Sequence, residues 1–228
     1  MRPRLVTVAA GPFAMGTDDG QPDERPVHTV WLDEFELAVH PVTNRDYRAF
    51  TAATGHRAPA FASDPRFAGD DQPVVAVSWS DAVAYCAWLR AITGLPCRLP
   101  TEAEREKAAL GGIAGRRYPW GDDAGPHAAG PLAAPPVVGR DQPNALGLHN
   151  MGDLVHEWCS DWYDAAYYCS SPSENPTGPR DGARRSSRGG SWRHRVCVTR
   201  CSARSSLQPE LLYSDYGFRI AVGRARNA

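Results

Sequence analysis

The stretch RGGSWRHRVCVTRCSARSSLQPELLYSDYGFR, residues 188–219, decides the fold of this chain, because its ends and its middle follow different rules. Gly189 and Gly190 permit backbone angles that other residues avoid, and they let another strand approach closely. Trp192 follows as a large amphipathic ring that normally buries its body. The ends are therefore predicted to form scaffold, and the middle is predicted to form a displayed surface.

The far end of this stretch predicts a last strand over residues 216–222, with Phe218, Ile220 and Val222 on one face. We expect the scaffold to be held by Trp192, Arg200, Arg204, Tyr216 and Phe218. Twelve residues between the ends share neither charge, size nor period and are called the displayed residues: Arg193, His194, Arg195, Cys197, Val198, Ser205, Ser206, Leu211, Leu212, Tyr213, Ser214 and Asp215.

The length and the charge of the chain limit the number of domains and the kinds of binding partner to be expected. At 228 residues, the whole chain (1–228) is expected to form one domain that buries a real core. The net charge is -1, from 25 basic and 26 acidic residues, so no overall attraction to nucleic acid or to an anionic membrane follows. The 21 glycines and 20 prolines predict long ordered loops held by turns.

The N-terminus does not have the pattern of a signal peptide, because Gly11 and Pro12 interrupt a short apolar run. No membrane-spanning run occurs, so we expect a cytoplasmic protein with reduced cysteines. No CxxC pair is present, which argues against a structural zinc site. Buried, unreactive thiols are expected at Cys86, Cys97, Cys159 and Cys169.

Alternating apolar residues predict two N-terminal strands, one at residues 4–15 and one at residues 28–37. The acidic loop TDDGQPDERP (17–26) lies between them. It lacks the ordered spacing and the closing Glu of an EF-hand. It therefore predicts a solvated turn rather than a calcium loop.

Capping residues predict three helices after these strands. Thr43 is expected to cap a helix that Gly55 ends, and a second helix is expected to follow Ser80 or Asp81. Thr101, with Glu104 three residues later, has the reciprocal arrangement of a capping box. The three carboxylates of this third helix are accordingly expected to be cap and surface groups rather than a general acid and base: Glu102, Glu104 and Glu106. A long loop is predicted over residues 111–144.

Nine motifs follow one another along nearly the whole chain: FAMG at 13–16, ERPVHTVWLDEFEL at 24–37, PVTNRDYRAF at 41–50, PVVAVSWSDAVAYCAWL at 73–89, RLPTEAERE at 98–106, YPWG at 118–121, NALGLHNMGDLVHEW at 144–158, RGGSW at 188–192 and GFRIA at 217–221. In this order they resemble the formylglycine-generating-enzyme, or sulfatase-modifying-factor, domain family. The resemblance implies an irregular α+β fold of the C-type-lectin type, with short strands, a few helices and much ordered loop.

Formylglycine-generating enzymes use two cysteines after the RGGS motif to bind copper(I), and thiolates suit that soft ion. The first of these positions corresponds to His194 in this chain, and the second corresponds to Thr199 or Val196, depending on the end from which the residues are counted. Cys197 and Cys201 match neither count. We therefore do not expect an enzyme, and the alternative is a copper-dependent formylglycine-generating oxidase that acts on a protein cysteine.

A calcium loop of this family is also matched in part. The resemblance implies that calcium is bound by an Asn side chain, two backbone carbonyls and a Glu side chain, at Asn150, Asp153, Val155 and Glu157. His156 and two neighbours depart from the family's pattern in this loop. In the alternative, Asp153 forms a turn and Glu157 accepts backbone N–H groups without any metal.

The displayed residues point to another group with this fold, the variable proteins of diversity-generating retroelements. Those proteins end in a lectin-like region between RGGSW and GFR, which corresponds here to a variable region at about 188–222. Randomised adenines turn their AAC codons into other codons ending in C, and each displayed residue can be encoded by such a codon. The resemblance implies a binding protein with a hypervariable surface from Arg193 to Asp215. With a near-neutral chain, we expect a macromolecular ligand, in particular a protein, rather than nucleic acid.

Overall fold

The computed structural model describes residues 2–123 and 131–223, so residues 124–130 of the predicted long loop lie outside the described part. The described residues form three helices, α1 (Asn44–Thr54), α2 (Trp79–Thr93) and α3 (Glu102–Leu110). They also form ten short strands: β1 (Leu5–Val8), β2 (Gly11–Met15), β3 (His28–Leu32), β4 (Phe35–Ala38), β5 (Cys97–Arg98), β6 (His156–Trp162), β7 (Arg185–Arg188), β8 (Arg204–Leu207), β9 (Tyr216–Gly217) and β10 (Ala221–Val222). The predicted α+β class, with few helices and short strands, is confirmed.

The strands form three sheets that interleave N-terminal and C-terminal parts of the chain. One sheet has the order β1-β4-β10-β5, a second pairs β2 with β3, and a third has the order β8-β7-β6-β9. In the third sheet β9 runs parallel to β6, whereas β7 is antiparallel to both of its neighbours. Both loops that carry displayed residues start from this third sheet.

Each predicted N-terminal strand is two strands in the structure. Residues 4–15 contain β1 and β2, which belong to different sheets, and Gly11 at the junction has a φ of 142°. Residues 28–37 likewise divide into β3 and the start of β4, at Asp33 and Glu34. The alternation was interpreted correctly as strand, but the turn inside each run was missed.

The predicted caps explain where the helices begin. Thr43 and Thr101 each form a capping box, with Asp46 and Glu104 respectively. Helix α2 starts earlier than predicted, because Ser78 is its cap: the Ser78 Oγ accepts from the Asp81 backbone N–H at 3.1 Å, while Asp81 Oδ2 accepts from the Ser78 N–H at 2.8 Å. No helix in residues 2–123 and 131–223 is long and apolar enough to cross a membrane.

Residues 216–222 connect the third sheet to the first through the main core. Residues 216–222 contain β9 and β10 rather than one strand, and Phe218, Ile220 and Val222 are buried as predicted. These side chains join the apolar faces of α1 and α2 in one core cluster. The structure therefore fixes both ends of the displayed segment on packed elements.

The thiols are buried with one exception among the four predicted. Cys86, Cys97 and Cys159 are buried, and burial raises the pKa of each thiol. Cys169 is exposed, because it ends a short 3-10 helix (Tyr167–Cys169) whose buried residue is Tyr168. The prediction for Cys169 was wrong.

Candidate binding surface

The first displayed loop is closed at its base by one buried carboxylate. Arg188 ends β7 and Arg204 begins β8, and the two residues are paired across the sheet. The Glu102 Oε1 atom lies 3.1 Å from Arg188 Nε and 2.8 Å from Arg204 Nε. All three side chains are almost wholly excluded from solvent. Glu102 of α3 therefore holds both ends of loop 189–203.

All three carboxylate residues predicted for the surface of α3 are buried, Glu104 included. Glu104 has the predicted capping role, but Glu102 and Glu106 lie four residues apart on the helix face that packs against β7. Burial by itself raises the pKa of Glu102, but the Arg204 and Arg188 guanidinium groups outweigh burial and hold that pKa below its usual value. For Glu106 burial prevails, and its pKa is raised although it pairs with Arg188. The prediction that Glu102 and Glu106 are surface groups was wrong.

A second carboxylate holds the middle of the same loop. Both Glu24 oxygens accept from Arg200, at 2.6 Å each, and Glu24 is 1% exposed. Charge-assisted, bidentate pairs of this kind fix geometry as well as contribute energy. Arg200 and Arg204 thus have the scaffold role that the sequence predicted.

Trp192 and the two glycines before it complete the scaffold. The Trp192 ring is buried beside Phe67 and donates from Nε1 to the Ser214 carbonyl at 3.3 Å. Gly190 donates its backbone N–H to the Gly152 carbonyl, and a Cβ atom at residue 190 would lie 2.7 Å from that oxygen. The predicted close approach at the glycines is confirmed. Tyr216 and Phe218 are buried as well.

The displayed residues differ from this scaffold in exposure. Six are exposed: Arg193, Arg195, Cys197, Val198, Leu211 and Tyr213. Five are half-buried: His194, Ser205, Ser206, Leu212 and Ser214. Of the large apolar members, Val198, Leu211 and Tyr213 are 42%, 37% and 47% exposed. Irregular side chains at the surface thus alternate along the chain with buried anchors.

Asp215 departs from the prediction of an outward side chain. It is 6% exposed, and its Oδ2 atom accepts from the Ser191 hydroxyl at 3.2 Å. Its backbone carbonyl also accepts from the His156 N–H at 2.9 Å. The cause is local, because Asp215 directly precedes β9 and is drawn under the surface where that strand pairs with β6.

The structure brings part of the displayed set together. Arg193 Nη1 lies 3.5 Å from the Ser214 hydroxyl and 3.7 Å from Asp215 Oδ1. His194 Nε2 lies 3.9 Å from the other Asp215 oxygen. The serines of β8 are held differently, since the Ser205 hydroxyl bonds the Tyr216 hydroxyl at 3.0 Å. The surface therefore has a polar centre around Asp215, with the β8 serines bonded to scaffold groups.

The two cysteines of the loop lie in different surroundings. Cys201 is buried in a core cluster, and burial raises the pKa of its thiol to about 12. Cys197 is exposed on a 3-10 helix, and Thr199 is buried with its hydroxyl donating to the Val196 carbonyl at 2.7 Å.

The residues of the implied calcium loop do not fit calcium. Glu157 is fully buried, and its carboxylate accepts from Arg105 Nε at 2.7 Å and from Arg219 Nε and Nη2 at 3.0 Å. Burial raises the pKa of Glu157, but the two guanidinium groups outweigh it and lower that pKa overall. Asn150 Oδ1 is also engaged, with the Gly139 N–H at 2.8 Å.

Arginine supplies the positive charge at this place. Arg105 Nη2 donates to the Met151 carbonyl at 2.9 Å, and Arg219 Nη2 donates to the His149 carbonyl at 2.6 Å. Calcium requires six to eight oxygen ligands. Here both Glu157 oxygens are already bonded by two fixed cations, so this carboxylate does not fit the calcium ligand set implied for Asn150, Asp153, Val155 and Glu157. The alternative that Glu157 bonds backbone N–H groups is corrected, because its partners are the Arg105 and Arg219 side chains.

The sequence-based prediction did not identify three residues that support the surface or lie beneath it: Glu24, Arg105 and His156. Glu24 and Arg105 lie in motifs that were used only to recognise the family, and their partners are distant in the chain. His156 was noted only as a departure from the family's pattern. Its ring packs edge-on against His194, with a centroid separation of 4.8 Å. A histidine in place of a core residue was the one available signal.

The scaffold matches a known protein family along nearly the whole chain. The model of the sulfatase-modifying factor enzyme 1-like domain matches residues 1–224. The chain belongs to this family. Formylglycine-generating enzyme of Streptomyces coelicolor is 35% identical over 288 residues, which cover 95% of this chain and 88% of that protein.

Other proteins that are similar to this chain differ in size and in name. Serine/threonine-protein kinase pkn1 of Chlamydia pneumoniae is 36% identical over 239 residues, and the match covers 95% of this chain but 37% of that protein. PvdO from Pseudomonas aeruginosa has a TM-score of 0.85 at 31% identity, covering 96% of this chain and 94% of that one. Treponema denticola variable protein 1 has a TM-score of 0.83 at 24% identity, with the same coverage, and this similarity shows a shared fold.

Proposed function

We propose that this member of the sulfatase-modifying factor family is a binding protein that presents the displayed residues to a macromolecular ligand. The observation that carries the proposal is that, within residues 188–219, one set of side chains is buried and fixes the backbone while another set is exposed. Buried ion pairs and Trp192 fix the backbone, while the exposed side chains between them hold little of the fold. A surface built in this way can change its side chains without losing its shape.

The composition of the surface favours a protein ligand. Tyr213 offers an exposed aromatic ring, and Arg193 and Arg195 offer charge-assisted donors, which are residue types that often dominate binding energy. Leu211 and Val198 add exposed apolar area. The chain carries no net positive charge that would favour nucleic acid.

We further propose that a retroelement diversifies this surface. Each displayed residue can be encoded by a codon that ends in C, as adenine randomisation of AAC codons requires. The fold is shared with a protein named Treponema denticola variable protein 1. Asp215 fits this proposal least well, because its carboxylate is buried.

The DNA beside the gene tests the proposed diversification. We expect a near-copy of the segment encoding Arg188 to Arg219, rich in AAC codons and accompanied by a reverse transcriptase gene. Its mismatches with the coding copy should be confined to adenines of the template. Mismatches spread over all four bases, or no second copy within the neighbouring genes, would refute retroelement diversification and leave a binding surface of fixed sequence.

The alternative function is copper-dependent oxidation of a protein cysteine to formylglycine. It is favoured by the 35% identity with the Streptomyces coelicolor enzyme over most of both chains. Incubating the protein with copper(I), dioxygen as the oxidant, a thiol reductant and a cysteine-containing sulfatase peptide distinguishes the two proposals. We expect no aldehyde product, because neither Cys197 nor Cys201 stands at a position that corresponds to the copper-binding cysteines of formylglycine-generating enzymes. An aldehyde that disappears in Cys197→Ser or Cys201→Ser variants would establish the oxidase instead.

A further inference from the structure

Two histidines and one carboxylate meet beneath the displayed surface. His156 begins β6, Asp215 precedes β9, and His194 lies in the first displayed loop. One potential ligand atom from each residue lies within 4.8 Å of the others. Pairing of β6 with β9 places His156 beside Asp215, and the turn after Ser191 brings in His194, whose N–H donates to the Ser191 carbonyl at 2.9 Å.

The histidine rings in this cluster have ligand capacity that the protein does not use. The Nδ1 atoms of His156 and His194 are both buried, and neither has a hydrogen-bond partner among the described residues. Buried polar atoms in folded proteins are normally paired, so an unpaired buried ring nitrogen on a residue of this cluster needs an explanation. His156 is itself 6% exposed.

The electrostatics of the cluster suit a cation. Burial and the neighbouring His194 together lower the pKa of His156 to about 4, against the opposing effect of Asp215. Burial also lowers the pKa of His194, against the opposing effect of Asp215. Neutral imidazole is the form that binds metal ions. Asp215 adds a carboxylate, and the Ser191 hydroxyl that donates to it is a suitable supporting contact.

We propose that His156, His194 and Asp215 form a binding site for a divalent transition-metal ion of the zinc class. Two imidazoles and one carboxylate, with a fourth position open, match the ligand types and number of zinc sites that keep an exchangeable position. Thiolate-preferring copper(I) and oxygen-preferring calcium suit this ligand set poorly. Its three ligands are not among the implied calcium ligands, although His156 lies in that loop between Val155 and Glu157, and the proposal does not depend on the proposed diversification.

Binding requires a small closure of the cluster. Ligand atoms around a tetrahedral zinc ion lie about 3.4 Å apart, given bonds of about 2.1 Å. The present separations extend to 4.8 Å. His156 and Asp215 are buried beside paired strands, whereas the His194 side chain is 35% exposed and lies in a loop. His194 can therefore supply the movement, and Arg193, which is 48% exposed, can turn away from Asp215 as the ion enters.

Untagged full-length protein, stripped with a chelator and then dialysed free of it, provides the test. We expect titration calorimetry with Zn²⁺ to show one ion per chain, and Co²⁺ to give the visible absorption of a four-coordinate site. His194→Ala should weaken Zn²⁺ affinity at least tenfold and remove the Co²⁺ band. The matched control is His40→Ala, which changes a histidine outside the cluster and should leave both readouts intact.

A second variant, at another proposed metal ligand, distinguishes loss of the site from loss of folding. Asp215→Asn keeps the shape of the side chain but removes its charge, and circular dichroism of each variant without metal establishes that it is folded. Folded His194→Ala or Asp215→Asn protein that still binds Zn²⁺ with unchanged affinity would overturn the proposal. So would Zn²⁺ binding to the original chain without a one-to-one stoichiometry.

Discussion

Glu157→Gln is expected to lower the free energy of unfolding by about 3–5 kcal/mol, because it leaves two buried guanidinium groups without their counter-charge. Arg105, Arg219 and Glu157 are each at most 1% exposed, so solvent cannot replace the lost carboxylate. The amide oxygen of Gln can still accept hydrogen bonds, but it carries no charge and neutralises neither arginine. Chemical denaturation followed by tryptophan fluorescence measures the change in unfolding free energy.

The control for this variant is Glu34→Gln, which makes the same chemical change at an exposed position. It should alter stability by no more than about 0.5 kcal/mol. In the original chain stripped of metal, we also expect added Ca²⁺ to leave the unfolding midpoint unchanged, because arginine already occupies the Glu157 oxygens. A midpoint that rises with Ca²⁺, or a Glu157→Gln protein as stable as its parent, would disprove the assigned arginine role.

Trp192→Ala is expected to destabilise the chain by about 3–5 kcal/mol, as is typical when a large buried aromatic side chain is truncated. The ring is 9% exposed, and it joins the displayed loop to a cluster that contains Phe67 and Leu154. Its truncation also removes the Nε1 donor from the Ser214 carbonyl. Thermal and denaturant unfolding of the purified variant measure the loss.

The matched comparison is a triple variant of exposed displayed residues, Arg193→Ala, Leu211→Ala and Tyr213→Ala. Three surface changes of up to about 0.5 kcal/mol each should cost no more than about 1.5 kcal/mol together. Ligand preference, by contrast, should change in the triple variant. If the triple variant unfolds as readily as Trp192→Ala does, the surface side chains carry the fold and the proposed division between buried and exposed side chains is wrong.

The local elements were largely predictable, because their determinants are adjacent in the chain. The capping boxes at Thr43 and Thr101 are three-residue patterns, and both helices begin where those patterns place them. The strand over residues 28–37 shows the limit of such patterns. Alternation specifies a strand but not its partner, so β3 and β4 could not be assigned to different sheets from sequence.

The displayed residues of the candidate site could be predicted from the sequence, but the buried ion pairs that hold their loop could not. The displayed residues could be separated from Trp192 by residue type alone, and the structure places most of them at the surface. The ion pair between Glu102 and Arg204 could not be predicted in this way, because Arg204 lies 102 residues further along the chain. A helix-capping pattern gave Glu102 a local explanation, and nothing nearby in sequence contradicted it. For His156 the one signal was its departure from the family's pattern, since the sheet pairing brings Asp215 close to it and the turn after Ser191 brings His194 close.

The shared carboxylate at the base of the first displayed loop has a consequence for insertions and deletions. Because Glu102 fixes Arg188 and Arg204 together, the distance between the two ends of loop 189–203 is set by the sheet and not by the loop. Once ends are held in this way, doubling a flexible loop adds only about 0.6 kcal/mol of closure entropy. Relatives of this chain can therefore differ in the length of the loop as well as in its side chains while keeping the same attachment points.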